Sequence, residues 1–232
     1  MPNKRELTIP ETSEEMDRTT QEYVYTRLRH AVMVGSIPPG TALTMRGLAD
    51  TMGLSPTPVR EAVRRLSSEN AIRVNQNRRL SIPEMTLGRF EELVALRVTL
   101  EAHAAERALP YVSDIKIEKM TSLDNEMDKA VVDNDWDQLT ILNQDFHRTL
   151  YTLNPDQTIM PLIESIWLQL GPFQRQILEL LEEYYKVDRH KEILTALETR
   201  DTVTLVNAIG SDIRESNSDA GRRLLTTGVP AA

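Results

Sequence analysis

The sequence predicts a mainly α protein of two domains: a small N-terminal domain of three helices and a β-hairpin, and a larger all-α bundle. Within residues 20–83, short helical patterns alternate with turns rich in Gly and Pro. Residues 84–232 show only long helical patterns. The charge divides at the same point, because residues 20–83 hold nine arginines against four acidic residues although the whole chain carries −8. Residues 1–19 lack apolar periodicity and are expected to form a mobile arm.

The composition excludes several classes of protein. No apolar run approaches the roughly 20 residues that cross a bilayer, and the polar N-terminus lacks the apolar core of a secretory signal. The chain has no cysteine, which excludes disulfides, cysteine-based zinc fingers and thiol nucleophiles. We therefore expect a cytoplasmic protein that does not associate with a membrane.

The first domain begins with a helix from about residue 21 to Gly35, because its apolar residues recur on one face. The segment SIPPGTAL then forms a turn, since two prolines and a glycine cannot continue a helix. A short helix follows, with Thr44 as its N-cap and Gly53 as its end. Ser55 is expected to cap the next helix, whose first turn tolerates two prolines because those amides need no partner.

The segment AIRVNQNRRLSIP alternates apolar and polar residues around a polar tip, which is typical of a β-hairpin. Three helices followed by a hairpin make a winged helix-turn-helix. Beyond this domain, six helical patterns predict an all-α bundle. They lie near residues 86–108, 114–133, 135–153, 156–183, 185–199 and 201–225.

The second helix of the helix-turn-helix, over about residues 56–69, is predicted to bind double-stranded DNA. In this motif that helix lies in the major groove and its N-terminal residues reach base edges. Arg60 and Arg64 are four residues apart and project from one face. Arginine bonds guanine bidentately and also binds phosphate. Most charged helix faces are only solvated, but the position of this one between a tight turn and a basic hairpin favours DNA.

Five further residues are predicted at the DNA interface. Ser55 and Thr57 lie where hydroxyls and backbone amides contact phosphates at a helix N-terminus. Arg46, on the preceding helix, is placed for a phosphate. Arg78 and Arg79, at the hairpin tip, would enter the minor groove or touch the DNA backbone. Because one such helix reads only a half-site, we expect a homodimer on a palindromic operator.

A candidate metal site lies in the helical domain. Asn143 and His147 are four residues apart and share a helix face, while His190 and Asp212 lie on later helices. Together they could surround a divalent cation in a bundle. The spacing alone leaves open that these are partly buried polar residues. A centre of two histidines and a carboxylate would also suit a metal-dependent enzyme, although no base or nucleophile is evident beside it.

The block GSIPPGTALTMRGLADTMGLSPTPVREAVRRLSSENAI resembles the winged-helix domain of the GntR family of bacterial transcription regulators. The shared elements are a Gly-x-x-x-Pro-Gly turn, RGLAD.MGLS.TPVREA and the following RRL. The all-α remainder resembles the FadR-type branch with an FCD domain, in its six-helix, VanR-like version, so that the likeness covers about residues 20–225. Pro56 replaces a DNA-contacting arginine common in the family and Arg79 a common glycine of the wing, which leaves room for a different operator sequence.

The resemblance implies a ligand-responsive transcription regulator, expected to be a repressor rather than an enzyme. Many FadR-type domains bind a metal through Asp or Asn, a histidine four residues later, and two more histidines. Asn143, His147 and His190 match this set, and Asp212 stands where the last histidine is expected. A carboxylate can still bind zinc, nickel or manganese.

The resemblance also singles out Arg97 as an effector-binding residue. Relatives commonly direct an arginine at this position into the cavity, where it would bind a small carboxylate effector. The alternative is an ion pair between Arg97 and Glu101, four residues apart on a solvated helix surface.

Overall fold

The structure is a computed structural model that describes residue 9 and residues 19–75, 79–178, 189–215 and 218–227. Its helices are α1 (Thr20–Met33), α2 (Met45–Met52), α3 (Pro56–Ser68), α4 (Leu87–Ala108), α5 (Asp114–Val132), α6 (Trp136–Tyr151), α7 (Met160–Leu178), α8 (Arg189–Thr199), α9 (Thr202–Glu215) and α10 (Ser218–Thr227). The strands are β1 (Ala42–Leu43), β2 (Arg73–Val74) and β3 (Leu80–Ser81). The mainly α fold class, a winged helix-turn-helix followed by a helical domain, is confirmed.

The described residues divide into two units. Unit 1 contains the residues up to Met85 together with Trp167–Arg175, and unit 2 contains Thr86–Ile166 and the residues from Gln176 onwards. The middle of α7 therefore groups with the winged helix-turn-helix. Among the described residues, no helix combines the length and hydrophobicity needed to span a membrane.

Unit 1 has the predicted helix-turn-helix, and α3 packs against α1. The hairpin β2–β3 is antiparallel, and β1 adds a third strand beside β3, with Leu43 opposite Leu80. The sequence analysis missed β1, because a strand of two residues is too short to show an alternating pattern. Gly53 ends α2 in the left-handed conformation at φ +65°, which glycine adopts without a steric penalty.

The N-caps of α2 and α3 differ. Thr44 accepts a hydrogen bond from the amide of Gly47, three residues on, as predicted. Ser55 occupies the N-cap position of α3, but the prediction of a side-chain cap is wrong, because its hydroxyl makes no capping bond. The residue three positions after it is Pro58, which has no N–H to donate.

A polar cluster joins α1 to the end of α3. The Tyr25 hydroxyl donates to Glu69 Oε1 at 2.6 Å, and burial, followed by this hydrogen bond, raises the pKa of Tyr25 to about 12. Arg29 and Arg65 lie within 3.8 Å of the Glu69 carboxylate, and the Arg65 guanidinium lies over the Tyr25 ring at 3.6 Å. Arg65 is thereby directed towards α1.

Only two residues of the predicted N-terminal arm lie among the described residues. One of them, Ile9, is buried, and its carbonyl accepts a hydrogen bond of 2.7 Å from Arg27 Nη2. At Ile9 the chain is therefore bound to α1, whereas the sequence alone predicts a mobile arm.

The described residues after Met85 follow the predicted helices closely and include no strand, whereas residues 179–188, where one predicted helix ends and the next begins, lie outside the described residues. α7 begins at Met160 rather than at 156, because the side chains of Asn154 and Gln157 bond the amides of Asp156 and Met160 and form a turn. The last predicted helix, 201–225, corresponds to α9 and α10. The main packing pairs are α4 with α9, α5 with α6, and α8 with α9.

We predict that Tyr25→Phe lowers the free energy of unfolding by about 1 kcal/mol, because the hydrogen bond that the Tyr25 hydroxyl donates to the charged Glu69 carboxylate is lost. Urea unfolding of the full chain measures the change. Tyr111→Phe is the matched control, since that side chain is 48% exposed, and it should change stability by less than about 0.5 kcal/mol. Equal losses in the two variants would contradict a stabilising role of the cluster.

Candidate functional site

The exposed side of α3 carries the arginines predicted to bind DNA. Arg60 and Arg64 are both exposed. On the opposite side, Val59, Val63 and Leu66 are at most 1% exposed and belong to the core. A helix with one exposed basic side and one buried apolar side can bind a polyanion without disturbing its own packing.

Two of the predicted arginines make only solvated ion pairs. Arg64 Nη2 lies 3.0 Å from Glu61 Oε2, and Arg46 Nε lies 3.8 Å from Asp50 Oδ2. The Arg46 side chain is 91% exposed. Such surface pairs contribute little stability, so both guanidinium groups remain accessible to phosphate.

The other predicted contacts are Ser55 and Thr57, which are exposed at the N-terminus of α3, and two residues of the hairpin. Arg79 is exposed immediately before β3. Arg78 lies outside the described residues. Without a capping bond, the Ser55 hydroxyl points to no partner within its own helix.

The second cluster brings His147 on α6, His190 on α8 and Asp212 on α9 together, with one ligand atom of each within 4.8 Å of the others. The three residues are at most 6% exposed. His147 Nε2 lies 3.3 Å from Asp212 Oδ2, and His190 Nε2 lies 3.9 Å from Asp212 Oδ1. Three of the four predicted ligands therefore meet in one buried place.

Asn143, the fourth predicted ligand, lies one turn before His147 on α6. Its Nδ2 is 3.2 Å from His190 Nε2. Because a half-turn of the amide exchanges Nδ2 with Oδ1, the side chain can also present its oxygen at this place. The structure thus brings all four predicted ligands together.

Both imidazoles are held from behind by a second polar group. His190 Nδ1 lies 3.2 Å from Asp124 Oδ1, which directs its Nε2 towards Asp212. His147 Nδ1 lies 3.0 Å from the Tyr151 hydroxyl. That hydroxyl donates to Glu101 Oε2 at 3.0 Å.

The residues present fit a divalent metal ion. His147 Nε2 is fully buried and has no hydrogen-bond partner, although Asp212 lies close by. A buried nitrogen without a partner is costly, and a cation would satisfy it. Two imidazole nitrogens, a carboxylate and an amide oxygen suit zinc, nickel or manganese.

The Asp212 carboxylate is ionised despite its burial. Burial alone would raise the pKa of Asp212, but the neighbouring His147, His190 and Arg97 lower it to about 2. The centre therefore offers an anionic ligand at neutral pH.

Arg97 is buried, at 9% exposure, and is paired with Glu101. Its Nε donates to Glu101 Oε1 at 2.7 Å and its Nη2 to Oε2 at 3.4 Å. The ion pair named as the alternative for Arg97 thus exists, but in the interior and not on a solvated surface. The Glu101 charge raises the pKa of Arg97 despite the opposing effect of burial.

The sequence analysis missed Asp124, Tyr151 and a buried role for Glu101. Two signals were present. Asp124 interrupts an apolar stripe of α5 that includes Ile117, Met120 and Met127, all of which are buried, and a charge in such a stripe needs a partner. Tyr151 follows His147 by four residues and so lies on the same face.

Comparison with known families matches both units. The family model described as "Bacterial regulatory proteins, gntR family" matches residues 20–82. The model described as "FCD domain" matches residues 92–215. The second match covers more than half of the chain and includes all four candidate metal ligands.

Individual relatives agree with these matches. The HTH-type transcriptional regulator McbR of Escherichia coli (strain K12) is 27% identical over 177 residues, which are 75% of this chain and 80% of that protein. The gluconate operon transcriptional repressor of Bacillus subtilis (strain 168) is 24% identical over 192 residues, covering 78% and 77%. Both are similar to this chain along most of its length.

Solved structures show the same fold. The E. coli McbR/YncC structure superposes with a TM-score of 0.81 at 24% identity, covering 89% of this chain and 99% of that one. A putative GntR regulator from Rhodococcus sp. RHA1 superposes with a TM-score of 0.69 at 20% identity, covering 87% and 97%.

We predict an acid-dependent loss of stability that depends on Asp212. Because its pKa falls from 3.8 to about 2 on folding, the contribution is complete above pH 3.8 and is lost as the pH falls towards 2; it amounts to about 2 kcal/mol. Asp212→Asn lacks this titration. Guanidinium unfolding of both metal-free proteins between pH 5 and 2.5 should show the variant losing less stability, and parallel losses would disprove the assignment.

Proposed function

The chain belongs to the GntR family of transcription regulators and carries an FCD ligand-binding domain, and from this premise we propose that it is a metal-dependent, ligand-responsive repressor. In this proposal it binds a palindromic operator as a homodimer in the cytoplasm and responds to a small carboxylate. The main support for metal-dependent effector sensing is His147 Nε2, which is buried without a hydrogen-bond partner beside the ionised Asp212.

The exposed face of α3 supports the DNA-binding half of the proposal. Arg60 and Arg64 would read base edges or bind phosphates in the major groove. Arg46, Ser55 and Thr57 would bind phosphates, which position the domain without reading sequence. The tip of the hairpin, with Arg78 and Arg79, would add contacts to the minor groove or the DNA backbone.

We propose dimeric binding because one α3 helix contacts only a short length of DNA. One α3 helix spans a half-site only, so affinity and specificity for a longer operator require two copies of the domain. A two-fold protein then matches a palindromic sequence. Control by an effector requires that the effector bind the operator-binding and released arrangements of the dimer unequally.

The effector proposal rests on the four ligands of unit 2. His147, His190, Asp212 and Asn143 would hold the cation, and a bound divalent metal would act as a Lewis acid that accepts a carboxylate oxygen of the effector. Arg97 would bind the same carboxylate. The Arg97 guanidinium donates to Glu101 from Nε and Nη2. Because a guanidinium has five N–H donors, Arg97 can bind Glu101 and the effector together.

The DNA-binding prediction concerns Arg60. Arg60→Ala should weaken binding to the fragment immediately upstream of the protein's own gene by about tenfold or more, because a contact to a base or phosphate is lost. Fluorescence anisotropy at several salt concentrations measures it. Arg107→Ala is the matched control, since Arg107 is an exposed arginine on α4, and it should leave affinity unchanged. Unaltered binding by the Arg60 variant would refute the α3 interface.

The metal prediction compares two histidines. Zinc should raise the melting temperature of the metal-free protein, because it binds the folded state, and His147→Ala should remove most of that rise. His103→Ala, which changes an exposed histidine on α4, should retain it. Elemental analysis of the purified protein identifies the natural metal. If neither zinc, nickel nor manganese stabilises the wild type, the metal-dependent part of the proposal fails.

A further inference from the structure

We propose that Tyr151 is a positioning residue for the metal ligand His147, and that it acts with Glu101 and Arg97 as one hydrogen-bonded relay. The relay fixes which ring nitrogen of His147 carries the proton. The proposal rests on the metal-binding function proposed above, but the tautomer it predicts exists in the metal-free protein and is measurable there.

The direction of each hydrogen bond follows from the chemistry of the groups. Arg97 can only donate, and the Glu101 carboxylate that it contacts is an acceptor. Tyr151 has one proton, and Glu101 Oε2 accepts it at 3.0 Å. Burial, followed by the charge on Glu101, raises the pKa of Tyr151 well above its usual range, so the phenol keeps that proton.

The phenol oxygen can then act only as an acceptor towards His147. The Nδ1 of His147, 3.0 Å away, must therefore carry a hydrogen and donate it. In the neutral ring this leaves the lone pair on Nε2. Glu101, Tyr151 and His147 are all 0% exposed, so the relay is shielded from solvent.

The consequence appears on the other side of the imidazole. Nε2 lies 3.3 Å from Asp212 Oδ2, yet it makes no hydrogen bond. In the neutral Nδ1–H form, the Nε2 lone pair and the Asp212 carboxylate are two electron donors, and a metal cation can bind both. The opposite tautomer would place a hydrogen on Nε2 and so occupy the lone pair that a metal ion needs. Tyr151 thus favours the form of His147 that binds metal over the form that blocks the site.

The two histidines are oriented by different chemistry. His190 Nδ1 contacts the carboxylate of Asp124 at 3.2 Å, an arrangement found widely behind metal-bound histidines. His147 instead contacts a neutral phenol, and the phenol becomes an obligatory acceptor only because Glu101 takes its proton. Arg97 in turn supplies the positive charge that offsets the buried Glu101 carboxylate.

The test uses Tyr151→Phe in the full-length protein, since this change removes the hydroxyl and retains the ring. Nitrogen-15 NMR of the metal-free wild type should show His147 with its hydrogen on Nδ1, and the variant should shift towards Nε2–H. The His190 signals should be unchanged. Zinc affinity, measured against a competing chelator, should fall about 10- to 100-fold.

Tyr111→Phe, which alters an exposed tyrosine, is the control and should change neither readout. A neutral His147 with its hydrogen on Nε2 and none on Nδ1 in the wild type would overturn the proposal, whether or not the variant folds. An unchanged tautomer and a zinc affinity within twofold of wild type in Tyr151→Phe would also overturn it. Absence of zinc binding by the wild type would refute the metal function alone, because the tautomer is read without metal.

Discussion

The ionised carboxylate of Asp212, buried against two imidazole rings, is the interaction on which the organisation of unit 2 depends. A charge in the interior is costly unless it is paired or binds a cation. The centre is assembled from five helices: His147 on α6, His190 on α8 and Asp212 on α9 form it, and Glu101 on α4 and Asp124 on α5 lie behind the rings. A change in the packing of any of these helices would alter the geometry of the centre.

In unit 1 the charged side chains are mostly exposed, whereas in unit 2 the candidate ligands are buried. Of the ten buried polar or charged residues among the described residues, only Arg27 lies in the winged helix-turn-helix. The rest of its core is apolar, and the arginines predicted to bind DNA on α2 and α3 are exposed, whereas Arg65 is held by the cluster around Glu69. Exposed charge suits a polyanion, which binds through released counterions, whereas buried ligands suit a small molecule or an ion.

Membership of the GntR family and the FCD match explain why one chain contains both designs. The family assignment establishes a transcription regulator with a ligand-binding domain. The geometry adds what a family name does not: a carboxylate at the position of the last expected histidine lies within reach of both remaining imidazoles. The replacement therefore keeps the donor set together and makes it more anionic.

The sequence by itself determined the winged helix-turn-helix, the helical second domain, the buried side of α3 and the four residues that meet as candidate ligands. The helices and turns follow from periodicity and turn residues, which are local properties of the chain, and the ligand set was identified through the family resemblance. The sequence did not reveal β1, the absent cap at Ser55 or the burial of the Arg97–Glu101 pair. Only the tertiary structure decided that Asp124 contacts His190 and that Glu101 contacts Tyr151, because these partners are 50 or more residues apart and come together through helix packing.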